Sequence, residues 1–189
     1  MPASALPPLV ALLVGVPAPL TVYGFNARGH SVEQHRPIRA EVAFIAPAAT
    51  IGDAVPIQVQ VGAALATILG RRDGALQLQT RFTTLSGGLV LGPVAPWSTD
   101  ISVAVFAGPA LLFEHLYLDD GFHLDTQSLG IQSGIRLTWG IGFDGRLLGA
   151  IQIGWEAYGP PLGRRTYFNH ALGRTEIASL SVGIEFAPP

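Results

Sequence analysis

From Leu129 to Phe143 the chain alternates with a period of two. Leu129, Ile131, Ile135, Leu137, Trp139, Ile141 and Phe143 fall on one set of positions, with Ser133 their one polar member. Gly130, Gln132, Gly134, Arg136, Thr138, Gly140 and Gly142 fall on the other. Successive side chains of a strand point to opposite faces, so this spacing predicts a strand with one greasy face and one small or polar face. Asp144-Gly145 is a favoured hairpin dipeptide. After it Ile151, Ile153 and Trp155 oppose Gln152, Gly154 and Glu156, which predicts a hairpin with a very short turn.

The same pattern recurs along the chain. Ile38, Ala40, Val42 and Phe44 oppose Arg39 and Glu41, and Ile57, Val59, Val61 and Leu65 oppose Gln58, Gln60, Gly62 and Ala64. Past a turn at Arg71-Arg72-Asp73-Gly74, Leu76, Leu78 and Phe82 form an apolar set against Gln77, Gln79 and Arg81. Ile101, Val103, Val105, Leu111 and Phe113 share one face of a longer strand whose other face mixes Phe106 and Leu112 with Ser102, Gly108 and Glu114. Pro109 lacks a backbone donor and, beside Gly108, predicts a bulge in that strand. In the last strand Ala178, Leu180, Val182, Ile184 and Phe186 oppose Ser179, Ser181, Gly183 and Glu185. These are seven strands, and residues Leu20 to Asn26 are the candidate eighth. Ser86-Gly87-Gly88 offers an alternative turn that opens a further short strand, Leu89 to Val94.

Composition then decides which face is inside. The chain has 189 residues, 49% of them hydrophobic and only 13% charged, where roughly 25% charged is usual for soluble proteins. Mean hydropathy is +0.41, yet no uninterrupted run of about 20 apolar residues exists to make a membrane helix. The 23 glycines and 15 prolines spread along the chain disfavour long helices as well. A soluble, lipocalin-like barrel would turn its polar row to water, but that row is Gln, Ser, Thr and Gly rather than Lys, Glu and Asp. It suits the narrow lumen of an eight-stranded membrane barrel, where side chains must be small or hydrogen-bond one another. Its few charges, Arg39, Glu41, Arg81, Glu114, Arg136, Glu156 and Glu185, are near-balanced in sign, as buried charges must be. The expected fold is therefore all-β: one closed antiparallel up-and-down transmembrane barrel of about eight strands, occupying residues 19–189.

Over about Leu20 to Phe186 this pattern resembles the small bacterial outer-membrane β-barrels of the outer-membrane protein A and X type. The final run Leu180-Ser181-Val182-Gly183-Ile184-Glu185-Phe186 is similar to the aromatic-ended last strand read by the barrel assembly machinery, although Ala187-Pro188-Pro189 follows the aromatic here. The resemblance implies residence in the bacterial outer membrane among lipid and lipopolysaccharide, with the assembly machinery as a partner. It implies no single activity. Residues 1–18 read either as a signal peptide, with Val16-Pro17-Ala18 as its cleavage site, or as an N-terminal apolar segment of the mature fold, a strand or a plug. No Lys or Arg precedes Arg28 to supply a leader's positive start.

Net charge is −2 and all 11 bases are arginine, a poor balance for nucleic acid. Cysteine is absent, which removes disulfides, thiolate metal sites and a cysteine nucleophile. The densest reactive cluster runs from Glu114 to Asp125, where His115 and His123 lie near several carboxylates. With His170 and Ser128 these are the candidates for a lipid A-modifying hydrolase or acyltransferase, the alternative to a structural, adhesive or envelope-assembly role with a plugged lumen. Their spacing matches no metal motif, and no metal or other cofactor is expected. Arg164 and Arg165 are candidates for contact with lipopolysaccharide phosphates, which a guanidinium binds with two parallel hydrogen bonds. Trp97, Trp139, Trp155, Tyr117, Tyr158 and Tyr167, mostly near strand ends, are candidates for interfacial girdles.

Overall fold

The computed structural model describes residues 8–21, 32–52, 55–72, 76–94, 101–118, 123–141, 147–159, 162 and 175–187. These form eight strands in chain order: β1 (Leu9–Thr21), β2 (Val32–Ile51), β3 (Val55–Arg72), β4 (Leu76–Val94), β5 (Ile101–Leu118), β6 (His123–Gly140), β7 (Leu147–Tyr158) and β8 (Thr175–Phe186). Each strand pairs antiparallel with its neighbours in sequence, and β1 also pairs with β8, so the sheet closes on itself. Closure leaves no open edge along the wall.

Alternation fixes the two surfaces. Leu65, Val61 and Ile38 are 62%, 61% and 61% exposed on the outside, whereas Arg39 and Arg136 are 3% and 2% exposed on the inside. In β6, Leu129, Ile131, Ile135 and Trp139 point outward and Gln132, Arg136 and Thr138 inward. A contiguous apolar exterior of this extent belongs against lipid. Its outward residues on β6 continue from Leu129 to Ile141. At about 3.3 Å per residue and a tilt near 40° that stretch spans roughly 30 Å of height, the thickness of a hydrocarbon core. The soluble, lipocalin-like arrangement with the apolar row inside is thereby overturned.

Four expectations need correction. The eighth strand is Leu9–Thr21, not Leu20 to Asn26; most of the latter lies outside the described residues, while Leu9 to Gly15 pair with β2 and Val10 to Thr21 with β8. Ser86-Gly87-Gly88 does not turn the chain, because β4 runs unbroken from Leu76 to Val94 and keeps one register with β3 throughout. The expected bulge at Pro109 is absent: Pro109 faces Ile131 in the regular β5–β6 register. The irregularity lies between Leu91 and Val94 of β4, where Gly92 holds φ at 112°, a conformation that favours glycine. Finally, Phe82 turns into the lumen and Arg81 outward, the reverse of the expected faces. Between β6 and β7 the described pairing runs to Ile141 N–H, which donates to Leu147 O at 3.1 Å, and the expected turn at Asp144-Gly145 lies outside the described residues.

Candidate functional site: the lumen and its outer rim

Period-two alternation on six strands delivers polar side chains to one interior space. Arg136 of β6 donates from Nε and Nη2 to Gln152 Oε1 on β7 at 2.9 and 2.6 Å, and from Nη2 across the lumen to Gln60 Oε1 on β3 at 3.0 Å. Its Nη1 lies 3.1 Å from Glu185 of β8. Gln152 Nε2 donates in turn to both Glu41 oxygens on β2, at 3.3 and 3.2 Å. Arg39 lies 3.3 Å from Glu41 and 2.5 Å from Glu156 on β7. Tyr158 Oη then donates to Glu156 at 2.8 Å and lies 3.3 Å from Thr84 Oγ1 on β4, whose hydroxyl can donate to it. One connected chain of partners thus links β8, β6, β3, β7, β2 and β4, with all its charges buried.

Apolar layers bound this network. Ala66, Phe82, Ala110, Leu112, Tyr158 and Ile177 form one buried cluster toward the end that carries the connections 22–31, 73–75, 119–122 and 160–174. They come from β3, β4, β5, β7 and β8. Below it, Phe106 packs with Val90 and Ala104, and the Arg136 guanidinium stands 5.6 Å from the centre of the Phe106 ring. Gly134 makes room for that ring, since a Cβ there would collide with Phe106 Cζ.

Of the seven charges expected in the lumen, six are buried there. Arg39, Glu41, Arg136, Glu156 and Glu185 join the network. Glu114 stands apart and accepts from Thr126 Oγ1 at 3.3 Å. Arg81 is the correction: it is on the outer wall, its guanidinium 5.8 Å from the centre of the exposed Tyr117 ring. Gln60, Gln152, Thr84 and Tyr158 complete the network beyond the charged set. Their signal was available in the row itself, because Gln152, Glu156 and Tyr158 are all even positions of one strand.

Among the described residues the candidate hydrolytic side chains are not brought together. Ser128 is 1% exposed and faces the lumen, while His115 lies on the outer wall with Nδ1 2.8 Å from Asp125 Oδ1. The thickness of the sheet separates them. His123 is exposed at the rim. His170, Arg164 and Arg165 lie outside the described residues, as do Trp97 and Tyr167. Trp139 and Tyr117 are outward and near opposite ends of the wall, as a girdle requires, but Tyr158 is fully buried in the lumen and is no part of one.

An apolar exterior, a polar interior and eight antiparallel strands define a small transmembrane β-barrel. No family model matches the sequence, and no curated protein does. Among solved structures the fold is similar to the major outer membrane protein from Thermus thermophilus, at 13% identity and a TM-score of 0.57 over 95% of this chain and 98% of that one. It is likewise similar to Neisserial surface protein A, at 10% identity and 0.56 over 98% and 99%. The attachment invasion locus protein of Yersinia pestis aligns over 96% and 100% of the two chains, at 9% identity and 0.51. At such identities the likeness is one of fold.

Proposed function

We propose that this chain is a bacterial outer-membrane barrel with a structural, adhesive or envelope-assembly role, and that its lumen is closed to solutes. The observation that carries this reading is that the buried charge network and the buried apolar cluster meet at Tyr158, which belongs to both. Hydrated ions entering such a lumen would have to break buried ion pairs and then cross an apolar layer, each step costly. The fold it shares with bacterial outer-membrane and surface proteins supports the outer membrane as its location. Leu180, Val182 and Ile184, outward on β8 before Phe186, support recognition by the assembly machinery, and lipid with lipopolysaccharide forms the surroundings of the wall.

The test combines membrane fractionation, gel mobility with and without boiling, and conductance in a planar bilayer. Outer-membrane recovery, a heat-dependent mobility change and no conductance steps are expected. Soluble protein without a mobility change overturns the location, and steady conductance overturns the closed lumen.

A further inference from the structure

Arg81 is an exposed cation on the outer wall of a barrel whose other described arginines with known surroundings, Arg39 and Arg136, are buried inside. Its backbone pairs with His115 of β5, and His115 with Asp125 of β6, so the three form one row across three strands. All three are outward and accessible: the His115 and Asp125 side chains are 40% and 63% exposed. Toward the membrane centre the outward positions become Leu85 on β4, Leu111 on β5 and Leu129 on β6. The row therefore sits at the rim of the hydrocarbon band, the depth of lipid headgroups.

The partners within the row leave Arg81 available. His115 is held by Asp125, and Arg81 has an aromatic neighbour, Tyr117, but pairs with no carboxylate among the described residues. Stacking on Tyr117 orients the planar guanidinium without using its N–H donors, and a fork of such donors matches the oxygens of a phosphate. His115 donates Nδ1–H to Asp125, which leaves Nε2 as an acceptor for a hydroxyl of the same headgroup. One outward row below, Thr83 and Gln127 flank Phe113, and the apolar wall begins at the next row, where acyl chains attached to that phosphate would lie against Leu85 and Leu111. A free anion gains nothing from that wall, whereas a lipid gains from both.

We infer that Arg81, with Tyr117 and His115, is an outward-facing site for the phosphate headgroup of a lipid in the adjoining leaflet. This rests on the barrel lying in a bilayer and not on which envelope role it serves.

Binding of a diphosphorylated glycolipid, and of the same lipid after phosphatase treatment, tests the inference with protein folded in a phosphate-free maltoside detergent. Arg81→Gln is expected to weaken binding of the phosphorylated lipid about tenfold or more and to leave the dephosphorylated lipid unaffected. Equal binding by parent and variant, or an equal loss for both lipids, overturns it. Displacement of the lipid by inorganic phosphate alone also overturns it, in favour of a free-anion site. Should Arg81→Gln lose its heat-dependent gel mobility, Arg81→Lys takes its place, because it keeps the charge and loses the fork. A weakened but measurable affinity is then expected, and an unchanged one overturns the site. A parent protein that shows no heat-dependent mobility defeats the proposed barrel function instead, so the two failures are told apart.

Discussion

Replacing Arg39 with methionine probes whether the lumen charges are truly removed from water. Arg39 is 3% exposed and is the cation between Glu41, 3.3 Å away, and Glu156, 2.5 Å away. Without it Glu156 keeps only the Tyr158 hydroxyl and Glu41 only the Gln152 amide among the donors described above. Removing one partner of a buried pair typically costs about 3–5 kcal/mol, because the remaining charge stays buried and uncompensated. That corresponds to roughly two to three and a half powers of ten in the unfolding equilibrium. Urea titration of the micelle-embedded protein, followed by the fluorescence of Trp139 and Trp155 and by gel mobility, measures it. Adding Glu41→Gln and Glu156→Gln to the same chain removes the stranded charges and is expected to return stability close to that of the parent. A loss below about 1 kcal/mol for Arg39→Met alone, the value of an exposed pair, would refute the reasoning: water would then reach the network.

Three further outcomes are expected. Phe82→Ala and Leu112→Ala each remove a buried side chain from the apolar layer and should destabilise by about 2–5 kcal/mol in the same titration; a change within error would place water or a void there already. Gly134→Ala drives a carbon into Ile153 O and Phe106 Cζ, so the yield of heat-modifiable barrel should fall, and normal yield would mean the β6–β7 seam gives way easily. Ile135→Arg on the lipid-facing wall should cost about 2–4 kcal/mol in lipid vesicles, and no cost would contradict the inside-outside assignment.

The barrel was most legible where the strand crosses hydrocarbon. In β6 the outside must be apolar and the inside small or polar, so Leu129 to Ile141 alternates cleanly. Toward the rim the rule inverts. There the exterior meets headgroups and the interior meets an apolar layer, so on β4 Arg81 belongs outside and Phe82 inside, and a reader extending one polarity rule along the whole strand assigns both to the wrong face. β1 was hidden for a different reason. Its inward positions Ala11, Leu13, Gly15 and Pro17 carry no polar side chain, so no alternation betrays the strand, and its apolar run reads equally well as a leader. Pro17 is tolerated opposite Ser179 within a paired strand. The site was half legible for reasons of distance. Charges in one row could be expected to pair, but that Arg136 reaches Gln60 and Gln152 reaches Glu41 depends on strand order around the closed wall, which alternation alone does not specify.

The seam between β1 and β8 carries a consequence for biosynthesis. It joins the first described strand to the last, with Val10 opposite Phe186, so it cannot form until both β1 and β8 are present. Every other seam needs only consecutive hairpins, which form early and locally. A sheet assembled only through β7 would have two unpaired borders, each a template for another molecule's strand. Closure thus sets an interval in which the unclosed sheet must be kept from its neighbours, and that interval ends only when β8 lies beside β1.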